Sequence, residues 1–178
     1  MTSNKPPKTF HIFYAWAEGP WFGKKTSAEL KKAGFLEAPI NEATVLIAHS
    51  VGTYLVRPRK SNKVTILIGP PYYPGKSVRV SISQKRKHDR KNLPFLEYIH
   101  KLLWNIFYII SKPLVTLRAG RVIYSEDPLS KAGSNSIVIQ NDDDAFCAPN
   151  LNKLIKQRVV KLPGQHDDCW FNPVPYVK

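Results

Sequence analysis

Cysteine is nearly absent from this chain, with two among 178 residues. That excludes a disulfide framework and points to a reducing compartment. No C-x-x-C or H-x-x-x-H spacing offers a preformed pair of metal ligands. No uninterrupted apolar run reaches membrane-spanning length. The opening residues 1–8 lack the apolar centre of a secretory signal, so the expected location is cytoplasmic. Acidic residues are also scarce, 13 against 27 Lys and Arg, for a net charge of +14. There is no internal repeat, and the only biased segment is the basic run at 84–92.

What is present is an ordinary apolar fraction in a chain long enough to bury a core as one domain over residues 1–178. Residues 57–131 hold 16 of the basic residues and 4 of the acidic ones, so about +12 of the charge sits in the middle. Five of the 13 acids are Asp142, Asp143, Asp144, Asp167 and Asp168. Five short apolar runs read as strands, at 9–15, 44–48, 63–68, 136–140 and 158–162. Helices are expected at 24–33, stopped by Gly34, and at 150–157. Strands alternating with helices predict an α/β fold with a mainly parallel sheet, whose chemistry gathers at the carboxyl ends of the strands.

The second strand ends in Ala48-His49-Ser50-Val51-Gly52. A serine flanked at minus two and plus two by small residues has the spacing of a nucleophile elbow, where a strand turns sharply and exposes its hydroxyl. Roughly one chain in ten of this length would carry such a pentapeptide by chance, so its weight rests on context. That context is a series along the chain: Ser50 after the second strand, an aspartate cluster after the fourth, His166 after the fifth. A serine hydroxyl needs a histidine to take its proton and a carboxylate to orient that histidine. Taken singly, each residue has a plainer role. Ser50 could cap a helix, the aspartates could form a solvated turn, and His166 could be a surface loop residue. His49 reads as packing or substrate-contacting and His11 as structural. A zinc site built from Cys147, Cys169, His166 and the aspartates is the weaker alternative, and no metal or cofactor is expected.

The elbow at 48–52, the segment Asp143-Asp144-Ala145-Phe146-Cys147-Ala148-Pro149 and the loop Leu162-Pro163-Gly164-Gln165-His166 together resemble the α/β-hydrolases. The similarity is to their small single-domain serine hydrolases of the retinoblastoma-binding type. It implies a catalytic triad of Ser50, Asp144 and His166. It also implies an oxyanion hole from the backbone N–H groups of Val51 and Trp16, since Tyr14 and Ala15 stand where the family has His-Gly. The 33 residues between Trp16 and Ser50 are too few for the family's usual extra strand and two helices. The expectation is a reduced fold of about five strands with one edge strand missing.

A basic, partly helical, cap-like insertion is expected over 72–135, with Tyr72 at its start as a substrate-contacting residue. Pro94 opens a helix whose apolar residues spread almost all round, as in a buried helix. If the five strands step in one direction, one sheet face lacks helices, and the stretch at 95–117 is the expected cover. A lid or an interfacial helix are the other readings of it. The expected substrate is a small ester, thioester or amide. The rival is a silent hydrolase-like binding module whose basic insertion grips an acidic partner. The basic run has charge without a nucleic-acid-binding signature, which argues against nucleic acid. Peripheral membrane contact and a homodimer both stay open.

Overall fold

The computed structural model describes residues 8–14, 20–56, 63–72, 83, 86–87, 89–117, 129, 133, 135–144, 146–164, 166 and 172–177. Six parallel strands form one sheet: β1 (Thr9–Phe13), β2 (Leu36–Glu37), β3 (Val45–His49), β4 (Val64–Ile68), β5 (Ser136–Asn141) and β6 (Arg158–Leu162). Their spatial order is β2-β1-β3-β4-β5-β6. The expected edge strand is therefore not missing but cut to two residues, paired parallel with Thr9 and Phe10. Helix α1 (Pro20–Lys32) carries the chain from β1 out to it. Gly34, at φ 87°, ends the helix by placing its own N–H on Lys31 O and the N–H of Phe35 on Leu30 O. The helix stops there because only glycine adopts that left-handed turn without strain.

Register between β1 and β3 is pinned by a reciprocal pair of threonines. Thr9 and Thr44 each accept the other's backbone N–H on Oγ1 at 3.0 Å. Pairing then runs from Phe10 with Val45 to Phe13 with Ala48, so β1 and β3 finish side by side. Because the chain steps from β1 to β2 and then back across to β3, its direction reverses between β1 and β3. In open parallel sheets the crevice at such a reversal is where ligands bind.

The reversal also settles how the sheet is covered. Right-handed crossovers stepping in opposite directions place their connections on opposite faces. One face packs Phe10, Ile12, Val45, Ile47, Ile66, Ile68 and Ile139 against Leu30 of α1, Phe35 and the C-terminal 3-10 turn Val174–Tyr176 with Val177. The other packs Leu46, Ala48, Leu67 and Val138 against Val56, Leu129 and Leu151 of the one-turn helix α3 (Leu151–Leu154). Full burial of side chains such as Ile47 and Ile66 contributes about 1.5–3 kcal/mol each.

The expectation that the insertion helix covers a bare face is thereby corrected. Helix α2 (Phe95–Ser111) starts where Pro94 predicted, yet none of its 17 residues is buried. Among the described residues, both faces of the sheet already carry other cover. The helix expected at 150–157 is also shorter, because α3 closes after four residues. Among the described residues, no helix is long and apolar enough to cross a membrane.

Candidate active site

Strand β3 is buried along its whole length and delivers Ser50 at its carboxyl end. There the chain enters a 3-10 turn, Ser50–Leu55. Ser50 has φ 49°, the left-handed conformation, and among the described residues no other non-glycine has a positive φ. Such a backbone is held only where its surroundings over-determine it, which is the character of an elbow. The surroundings are visible. A Cβ on Gly52 would lie 2.6 Å from Phe13 O and 2.8 Å from Tyr14 O, so the turn is pressed against the end of β1 and position 52 must be glycine. Thr53 Oγ1 donates to Ser50 O at 2.6 Å and tightens the turn.

Two strands away, β5 runs into the aspartate cluster. Asp142 and Asp143 are exposed, and their backbone N–H groups donate to Leu162 O and Gly164 O, so they build the turn that meets the loop after β6. Asp144 is buried. Its Oδ1 accepts the N–H of Phe146 at 2.8 Å, and its Oδ2 accepts from His166 Nδ1 at 2.8 Å. A carboxylate can only accept, so this bond places a proton on Nδ1 and leaves the Nε2 lone pair as the base. Burial works against the charged form of Asp144. Its carboxyl nonetheless sits below the ordinary aspartate value, held there by the His166 charge, its hydrogen bond and the Phe146 N–H.

The histidine is clamped from three sides. Gly69, at φ 51° after β4, approaches so closely that a Cβ there would lie 2.9 Å from His166 Cε1 and Nδ1 and 3.0 Å from Asp144 Oδ2. The Phe146 ring stands 4.9 Å from the imidazole, centroid to centroid. His49 lies at the same distance on another side, with its Nε2 on the backbone carbonyl of His166 at 3.1 Å. The hydrogen bonds at His166 run to Asp144 and His49 and none runs to Ser50. Contacts between nucleophile and base often tighten only when substrate is bound.

The remaining expected site residues are dispersed. Val51 follows the serine in the 3-10 turn, where its N–H belongs to the elbow. Trp16 lies outside the described residues, as does Cys169. His49 is 1% exposed, so it backs the histidine loop instead of facing solvent. Tyr72 forms an isolated parallel bridge with Cys147 and packs against the core cluster that includes Leu67 and Val138, and Cys147 donates from Sγ to Pro70 O at 2.9 Å. These two residues join the loops after β4 and β5. Among the described residues, no three His, Cys, Asp or Glu side chains converge as metal ligands. The role of Gly69 was not read from the sequence, although a glycine closing an apolar strand was the available signal.

A parallel sheet whose third strand ends in a left-handed serine at the direction reversal, with the acid and histidine on the loops after β5 and β6, has the α/β-hydrolase fold. Among solved structures, the enol-lactonase from Burkholderia xenovorans LB400 is similar, at TM-score 0.52 and 14% identity over 98% of this chain and 88% of that one. No protein-family model and no curated protein matches the sequence.

Proposed function

We propose that this chain is a serine hydrolase that cleaves an ester, thioester or amide through an acyl-enzyme on Ser50. The observation that carries the reading is the left-handed Ser50 at the end of β3 combined with a buried, Asp144-oriented His166. In the first half-reaction Ser50 Oγ attacks the substrate carbonyl carbon while its proton passes to His166 Nε2. The developing oxyanion takes the N–H of Val51, the residue after the nucleophile. The protonated His166, stabilised by ionised Asp144, then returns the proton to the departing oxygen, sulfur or nitrogen. Water enters, gives a proton to His166 and attacks the acyl carbon, and His166 then returns that proton to Ser50 Oγ as the acid leaves.

The closer kinship to small single-domain serine hydrolases of the retinoblastoma-binding type is part of the same proposal. It rests on the acid segment at 143–149 and the histidine loop at 162–166. A fluorophosphonate probe tests the chemistry. Peptide mapping should find the adduct on Ser50, and His166→Ala should abolish it. Undiminished labelling in that variant would refute an activated serine and leave the silent binding module as the better reading.

A further inference from the structure

Helix α2 turns an apolar arc to solvent. At about 100° per residue, Leu96, Leu103, Phe107 and Ile110 fall within about 60° of one another. They are 80, 59, 59 and 73% exposed. The opposite arc carries Tyr98, Lys101, Asn105 and Tyr108, all half-buried. Lys101 Nζ pairs with buried Asp89 Oδ2 at 3.0 Å. The inner side of the helix, with half-buried Ile99, Leu102 and Trp104 beside these polar groups, is thus spent on its own chain, while an apolar arc stays exposed. A helix in a monomeric water-filled setting has the reverse polarity. The apolar exposure continues past Lys112 in the helical residues 113–117, where Leu114 and Leu117 are 79 and 70% exposed. An apolar surface this continuous marks a site of interaction.

Charge decides what fits it. Residues 86–117 hold six Lys and Arg (Arg86, Lys87, Arg90, Lys91, Lys101 and Lys112) against two acids, Asp89 and Glu97. The Lys101 pair neutralises Asp89, while Arg86, Lys87, Arg90 and Lys91 are exposed just ahead of the helix. A second copy seated on this face would bring two such basic clusters together, on chains that each carry +14. An anionic lipid surface neutralises them and accepts the apolar stripe at once. The 17 residues of α2 span about 25 Å along the axis. That suits a helix lying in the headgroup plane. Trp104, half-buried at the flank of the apolar arc, supplies an amphipathic ring of the kind that favours this depth.

We propose that the outward face of α2, with the basic cluster before it, docks the protein on an anionic phospholipid bilayer. The inference is independent of the chemistry at Ser50.

Co-sedimentation of the full chain with phosphatidylcholine vesicles, with and without phosphatidylserine, tests it. Binding should require phosphatidylserine and weaken as salt is raised. Leu103→Asp with Phe107→Asp, and separately Arg90→Glu with Lys91→Glu, should each lower vesicle affinity by roughly tenfold or more. Both pairs lie on the surface, so melting temperature and Ser50 labelling in detergent-free buffer should stay unchanged. The proposal is overturned if the chain ignores phosphatidylserine vesicles, or if Leu103→Asp with Phe107→Asp binds them undiminished. It is equally overturned if sedimentation velocity shows a dimer that this pair dissolves while vesicle binding is absent, since the occupant is then a second copy.

Discussion

His49 and His166 are joined across 117 positions of sequence by a single hydrogen bond, from the imidazole Nε2 of the first to the main-chain carbonyl of the second. A carbonyl can only accept, so His49 is the donor and its Nε2 carries the proton. The bond ties the last residue of β3, next to the proposed nucleophile Ser50, to the backbone of the proposed base.

His49→Ala would leave the His166 carbonyl unpaired and a cavity beside the imidazole. Loss of the buried bond alone should cost about 1–3 kcal/mol. Urea unfolding measures that loss, and the rate of Ser50 labelling under native conditions measures the displacement of His166. His49→Gln, which can keep a donor near the carbonyl, should recover part of both. Unaltered labelling kinetics in His49→Ala would mean that the bond does not position the base.

Asp144→Asn should lower turnover of an activated ester by about 10⁴-fold, because an amide no longer fixes the Nδ1–H tautomer of His166. Asp142→Asn and Asp143→Asn should cost little, since both residues serve the turn through backbone N–H groups that asparagine retains. Initial rates on a p-nitrophenyl ester separate the three. A crippled Asp143→Asn would move the acid by one position.

The depressed carboxyl of Asp144 makes a pH prediction. A group whose folded value lies below its unfolded value, here near 3.8, adds stability that is complete above the unfolded value. That stability is lost as pH falls through the folded value. The melting temperature of the native chain should therefore exceed that of Asp144→Asn by a steady margin above about pH 5, narrowing at lower pH. Thermal scans across an acid series check it, and a margin that widens on acidification would contradict it.

Gly69→Ala adds one methyl group where both His166 and Asp144 already stand within 3.0 Å, on a backbone at φ 51°. Imidazole and carboxylate must separate, or the loop after β4 must shift. Labelling of Ser50 should fall by at least about tenfold, and the melting temperature should drop as overpacking costs about 1–3 kcal/mol. Gly34→Ala has open space around the new methyl group, so it should pay only for its left-handed φ and leave labelling intact.

The long strands were legible because a buried parallel strand leaves an apolar run, as at 45–48 and 66–68. The positions of Ser50, Asp144 and His166 were legible for a related reason, since each follows a strand of the sheet. Strand β2 was not, because two exposed residues held by an edge pairing and a Lys31–Glu37 contact leave no periodicity to read. Missing it concealed the reversal between β1 and β3, and with it the cover on the second sheet face. Helix α2 misled for the opposite reason. Its apolar surround predicted burial, but hydropathy does not say whether the apolar neighbour belongs to the same chain.

The left-handed backbone at Ser50 has a consequence for how the protein would respond to improvement. Glycine takes that conformation freely, whereas serine is disfavoured there by about 1–2 kcal/mol. Ser50→Gly should melt higher than the native chain while losing the hydroxyl on which the proposed chemistry depends. Selection for heat tolerance alone would drift toward discarding the nucleophile. Any laboratory evolution of this scaffold has to score turnover in the same round as stability, or the tougher descendants will be the inert ones.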